Sequence, residues 1–167
     1  METMDIVALI KDVADTFRDG ASKKRQEIII MNFRPCQVRV NRTAARQVLV
    51  NLLSNAGKYS PECGRIWVSF DEHPYSVNVS IKDEGCGIRQ EELPRIFEKY
   101  YRAAGSEQVK GAGLGLYIVH LLVESMGGEI TVMSEQGAGS TFTLSFVKAE
   151  GMALDSVRCG SVKAEQG

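Results

Sequence analysis

The chain has 167 residues, 44% hydrophobic and 25% charged, with a formal net charge of −1. That length supports one domain with a substantial core. The near-zero charge excludes a basic field, so neither a nucleic acid partner nor membrane contact by this domain is expected. No apolar run reaches the length of a membrane span, and no signal peptide opens the chain, which points to a cytoplasmic domain whose full-length parent could be membrane-anchored. The cysteines at 36, 63, 86 and 159 form no C-x-x-C pair and read as reduced thiols rather than a zinc site or a disulfide frame.

Residues 5–19 carry Ile6, Leu9, Ile10, Val13, Ala14 and Phe17 at helical spacing, with Gly20 as the expected stop. The run Ile28-Ile29-Ile30-Met31 suits a buried strand, and a short piece over 38–40 leads to a second helix. That helix, over residues 41–60, has Asn41 as N-cap and a buried stripe of Ala45, Val48, Leu49, Leu52, Leu53 and Ala56. Ile66, Val68 and Phe70, then Val77, Val79 and Ile81, alternate in and out and predict a β-hairpin over 66–82. Residues 90–96 read as a short helix. Residues 103–113 are small, polar and glycine-rich, the profile of a mobile loop. A third helix covers 114–126 and is capped by Gly127-Gly128. Strands follow over 129–134 and 140–147. Residues 148–167 lose apolar periodicity and read as a flexible tail or linker after a domain over 1–147. Hairpins and helices mix without strict βαβ alternation. The fold class expected is α+β, a two-layer α/β sandwich with a mixed sheet of about five strands and three main helices on one face.

A second stripe on the 41–60 helix is polar: Gln47, Asn51, Asn55 and Lys58 follow one another along one face. Asn is a poor helix-interior residue, so two on one face suggest a task beyond solvation. Three glycine clusters stand out: Asp83-x-Gly85-x-Gly87, Gly111-x-Gly113-Leu114-Gly115-Leu116, and Gly137-x-Gly139-Ser140-Thr141. The second runs into a helix, whose first N–H groups and dipole favour phosphate. It is neither a Walker loop nor a dinucleotide fingerprint, because no Gly-Lys-Ser/Thr follows it and no strand precedes it. Asp83 ends a strand and could accept from an exocyclic amine such as that of adenine, with Ile88 against the ring. Asn55 offers an amide oxygen to a hard cation, and Lys58 suits a phosphate.

NLLSNAGKYS, DEGCGI, RIFEKYYR, GAGLGLYIV and GAGSTFTL occur in an order that resembles the ATP-binding catalytic domain of sensor histidine kinases. These belong to the superfamily that also holds DNA gyrase, MutL proteins and heat-shock chaperone ATPases, with the Bergerat ATP-binding fold. The resemblance covers roughly residues 5–147. It implies an enzyme of the two-component phosphorelay that binds ATP and Mg and transfers the γ-phosphoryl to a histidine on a dimerisation hairpin, from which a response regulator receiver domain takes it. Asn55 matches the asparagine that ligates magnesium, with Asn51 beside it as a second metal and catalytic position. Where Asn51 stands, hydrolytic relatives carry a water-activating glutamate, and an amide cannot act as that base. Lys58 would touch phosphate and Tyr59 would lie near the nucleotide. Asp83 would take the adenine amine, Gly85 and Gly87 would shape the pocket, and Ile88 would line it. Phe97, Tyr100 and Tyr101 would anchor a lid, with Arg102 as a phosphate contact. Gly111, Gly113, Leu114, Gly115 and Leu116 would wrap the phosphates, and Thr141 would close the adenine side. Neither His73 nor His120 has the phospho-acceptor context of the family, so the histidine-bearing hairpin is expected elsewhere. An anti-sigma-factor-type serine kinase that binds a protein partner is the alternative expectation.

Overall fold

The computed structural model describes residues 1–149. A five-stranded mixed sheet carries one layer of helices, and a two-stranded sheet flanks it. In chain order the elements are β1 (Glu2–Asp5), α1 (Ile6–Lys23), β2 (Glu27–Met31), β3 (Gln37–Val40), α2 (Arg42–Tyr59), β4 (Arg65–Glu72) and β5 (Ser76–Asp83). A single 3-10 turn (Leu93–Arg95) is followed by α3 (Gly115–Ser125), β6 (Glu129–Glu135) and β7 (Gly139–Val147). The large sheet runs β2-β4-β5-β7-β6, with β2 parallel to β4 and every other pair antiparallel. The α+β expectation holds in strand number, helix number and mixed pairing.

Period-2 burial sets the inner face of the sheet. Ile66 and Val68, Val77, Val79 and Ile81, and Phe142, Leu144 and Phe146 all point into one core. Against them pack the apolar stripes of the helices, with α2 between α1 and α3 and against β5. The six apolar residues of the α2 stripe are all buried, and Asn41 caps the helix by accepting from the Ala44 N–H at 3.0 Å. This is the helix period meeting the strand period over one core.

Four local expectations need correction and one strand is new; the first correction is that β2 is not buried, since Ile28, Ile29 and Ile30 are half-buried and Met31 is exposed. Residues 2–5 form a strand paired with β3, Met4 opposite Val38; four residues are too few for an alternation to be read from sequence. The Asp5 carboxylate then accepts from the Val7 N–H, so α1 starts there. Gly20 does not stop α1, which runs on to Lys23. An exposed helical glycine costs only about 1 kcal/mol, and the chain turns instead at Arg25, whose φ is 53°. Over 90–96 only the 3-10 turn forms, with Pro94 in its first positions. The third helix starts at Gly115 and ends at Ser125, and Gly127 (φ 71°) closes it by donating to the Glu124 carbonyl. Of the expected tail, Lys148 and Ala149 donate from their backbone N–H groups to Tyr75 and Gln37 carbonyls. Residues 150–167 lie outside the described residues.

Candidate functional site

A cavity of about 290 Å³ opens between α2, the end of β5, the 101–114 segment and the start of α3. The polar stripe of α2 forms one wall, with Asn51, Asn55, Lys58 and Tyr59 on the lining. Helical spacing predicts that sharing, and the opposite apolar stripe fixes which way the wall faces.

Asp83 sits at the back, 6% exposed. It continues the inward column of Val77, Val79 and Ile81 by one more alternation, which is how a carboxylate comes to be buried at a strand end. Its Oδ1 accepts the Gly85 N–H at 2.8 Å and the Ser140 N–H at 3.2 Å. No hydrogen bond is made to Oδ2 among the described residues, so one oxygen is held by the backbone and the other keeps its acceptor capacity beside the cavity. Burial raises the Asp83 carboxyl above its ordinary value, and the two N–H donors pull it partly back. Gly85 is not on the lining. It lies behind the carboxylate, where a Cβ would stand 2.8 Å from Asp83 Oδ1 and 2.9 Å from the Tyr59 carbonyl oxygen. Gly87 is on the lining beside Ile88, and its glycine identity is imposed by the fold: φ is 68° and a Cβ would fall 1.9 Å from the Glu135 carbonyl oxygen.

Thr141 does not line the cavity; Ser140 and Phe142 do. On β7 the even residues face the core, so Thr141 points to the other face, paired with Lys82 and Met133. The buried Ser140 takes the position expected for it, with its hydroxyl 2.8 Å from Ser134 Oγ. Ser134 Oγ also accepts the Ile88 N–H at 2.8 Å, so one hydroxyl pair ties β6 and β7 to the loop after Asp83. The signal that points to Ser140 was in the sequence, because Phe142, Leu144 and Phe146 alternate and Ser140 extends their column.

The front of the cavity comes from residues 101–116. Tyr101, Arg102, Gly111, Gly113, Leu114, Gly115 and Leu116 all line it. Leu114 precedes α3 with no side-chain cap on the first N–H groups of this 11-residue helix, and Leu114, Gly115 and Leu116 at its start line the cavity. A Cβ on Gly111 or Gly115 would meet nothing within 4 Å. The loop is anchored at its base: the Tyr100 N–H donates to the Gly113 carbonyl at 2.9 Å, while Glu92 Oε1 accepts from the Tyr101 hydroxyl at 3.0 Å and the Ala104 N–H at 2.8 Å. Arg102 donates to the Ser106 and Val109 carbonyls and so bridges the loop. Burial raises the Tyr59 hydroxyl's pKa, and the charge of Arg102 partly offsets this. Glu92, Ser106 and Lys110 escaped the sequence reading. Lys110 adjoins the glycine cluster and could have been found there, whereas nothing in the sequence marks Glu92 as a loop anchor. His73 lies in the β4–β5 turn, and His120 stacks at 5.4 Å on Phe97 from the face of α3.

The profile described as "Histidine kinase-, DNA gyrase B-, and HSP90-like ATPase" matches residues 40–150. The chain belongs to this ATP-binding family. Within it, the similarity is to sensor histidine kinases. The aerobic respiration control sensor protein ArcB of Escherichia coli K12 is 44% identical over 115 residues, 66% of this chain and 14% of ArcB. The sensor histidine kinase WalK of Bacillus subtilis is 35% identical over 146 residues, 85% of this chain and 24% of WalK. The solved mycobacterial sensor histidine kinase MprB superposes with a TM-score of 0.81 at 28% identity, over 88% of this chain and 98% of that structure. This ATP-binding domain is therefore of the histidine kinase catalytic type, and it spans a minor part of the curated relatives. The serine-kinase alternative is not favoured by these likenesses. No helix among the described residues is long and apolar enough to cross a membrane.

Proposed function

We propose that this domain binds ATP with magnesium in the cavity and passes the γ-phosphoryl to a histidine on a dimerisation hairpin outside the chain. A response regulator receiver domain then takes the phosphoryl group. The observation that carries the reading is Asp83. A buried carboxylate with one oxygen fixed by two backbone donors and the other turned to a cavity suits an exocyclic amine, and the adenine ring would pack on Ile88. The phosphates would meet Lys58, the α3 N-terminus at Gly113 to Leu116, and Arg102 and Gly111 of the loop, where backbone N–H groups and cations favour negative charge.

The metal fits the donors present. Among the described residues the lining has one carboxylate, Asp83, and it carries the side chains of Asn51 and Asn55 as neutral amides. Two neutral amides suit a magnesium ion that arrives with the nucleotide and keeps water and phosphate oxygens as its other ligands. When bound, it would neutralise charge developing on the phosphates. The chain's own residues would orient the nucleotide and exclude water under the loop. Asn51 cannot take a proton from water, which favours transfer over hydrolysis. The site of action would be the cytoplasm, with the parent protein anchored or not.

The test mixes this chain with a separately made histidine-bearing hairpin domain and γ-labelled ATP. Acid-labile, base-stable label on the hairpin is expected. Label that is acid-stable and sits on a serine of another partner would overturn the reading.

A further inference from the structure

The end of α2 that carries Lys58 and Tyr59 is held from outside the cavity. A helix leaves its last carbonyls without intrahelical partners, and α2 ends on an extended Ser60 rather than on a left-handed glycine. Two side chains from the α1–β2 turn take up those carbonyls. Lys24 Nζ donates to Gly57 O at 2.8 Å, Ser60 O at 3.2 Å and Lys58 O at 3.4 Å. Gln26 Nε2 donates to Gly57 O at 3.0 Å, Ser60 O at 3.0 Å and Pro61 O at 3.1 Å. Gln26 is 8% exposed and packs on Gly57, where a Cβ would lie 3.6 Å from Gln26 Oε1. Arg25, at φ 53°, turns the backbone between the two. Backbone bonds complete the clasp, from the Cys63 N–H to Lys24 O at 2.9 Å and from the Glu27 N–H to Gly64 O at 3.1 Å. Neither Lys24 nor Gln26 lines the cavity.

We infer that Lys24 and Gln26 are positioning residues of the nucleotide site, fixing the last turn of α2 so that Lys58 meets the phosphates while Tyr59 stays seated on Gly85. Lys24 also places its charge at the negative end of the helix dipole, which tightens the clasp. The opposite end of α2 has its own cap at Asn41, so loss of the clasp loosens the phosphate end selectively. Asp83 is held by Ser140 of β7 as well as by Gly85, which packs on Tyr59, so the adenine side feels loss of the clasp less than the phosphate side does. This rests on the nucleotide reading above.

The experiment titrates ATP, and adenosine by NMR, into the wild type, Lys24→Met, Gln26→Met, Lys24→Arg and Lys58→Ala, and into the Lys24→Met/Lys58→Ala double variant. Both Met variants are expected to weaken ATP by about fivefold, part of what the loss of a charged hydrogen bond costs, and to weaken adenosine by clearly less. Lys24→Arg, which keeps the donors, restores ATP affinity. The double variant binds ATP no more weakly than Lys58→Ala alone, because Lys24 acts through that turn. Wild-type ATP affinity in both Met variants with only a lower Tm overturns the inference, as do equal losses for ATP and adenosine or simply additive losses in the double variant. Failure of the wild type to bind ATP overturns the nucleotide reading and this inference with it; wild-type binding with any of the other failures overturns the clasp alone.

Discussion

Asp83 shows how a single side chain links burial to recognition. In Asp83→Asn the amide oxygen can still accept from Gly85 and Ser140, while an NH2 group replaces the acceptor facing the cavity. ATP affinity is expected to fall about tenfold or more, the cost of a charged hydrogen bond of roughly 1.5–3 kcal/mol, with the fold retained; calorimetric titration measures it. The same variant reports on pH. Burial raises the folded carboxyl's pKa above its unfolded value, so ionised Asp83 destabilises the fold at neutral pH, and this penalty disappears as pH falls below the ordinary carboxylate range. Nucleotide-free Asp83→Asn should therefore melt above wild type at neutral pH, with the difference shrinking on acidification. Two glycines separate fold from function in the same way. Gly87→Ala forces a Cβ into the Glu135 carbonyl at positive φ and should cost at least about 1–2 kcal/mol in denaturant unfolding. Gly115→Ala meets open space and should be neutral or slightly stabilising, while narrowing the phosphate end and weakening ATP. At this scale chemistry is more plainly legible than facing: the Asp-x-Gly-x-Gly run points to Asp83 directly, while choosing Ser140 over Thr141 requires carrying the phase of Phe142, Leu144 and Phe146 back to the start of β7.

Among the elements, α2 was legible because a 3.6-residue apolar period and a polar stripe run side by side over 18 residues. The 101–114 segment is its opposite. It has no period, and its anchors, Glu92 on Ala104 and Tyr101 and Arg102 on two carbonyls, join residues that no local pattern connects. These anchors hold the base of the loop, while a Cβ on Gly111 beyond them would meet nothing within 4 Å. Hydrogen exchange over residues 103–113 should slow when ATP and magnesium are added; equal exchange in both states would remove the lid role. The 3-10 turn before it was read as a longer helix because Leu93 and Ile96 fit either period, and Pro94 decides between them.

For the whole molecule, the cavity is an assembly of four stretches: α2, the end of β5, the loop leading into α3, and the start of β7. A ligand that spans them stabilises the folded state by mass action. ATP with magnesium at one hundred times its dissociation constant should add about 2.7 kcal/mol, raising the Tm by roughly 5–10 °C at this size. The shift in Asp83→Asn should be about half of that or less in a parallel melt. Glutamate at 51 tests the chemistry of the same assembly: Asn51→Glu should raise the rate of ATP hydrolysis, read as phosphate release, because a carboxylate can accept a proton from water and an amide cannot.

The sequence by itself determined the helices and hairpins with long periods, the family through five ordered motifs, and most of the residues that line the cavity. Periodicity and residue chemistry are local, and 18 residues of helix or eight of strand carry them in full. Tertiary structure alone decided that Gly85 stands behind Asp83, that Glu92 anchors the loop, and that Lys24 and Gln26 hold the end of α2. Each depends on sheet register or on contacts between residues far apart in the chain, and a side chain's partner across such a gap is set by how the layers pack.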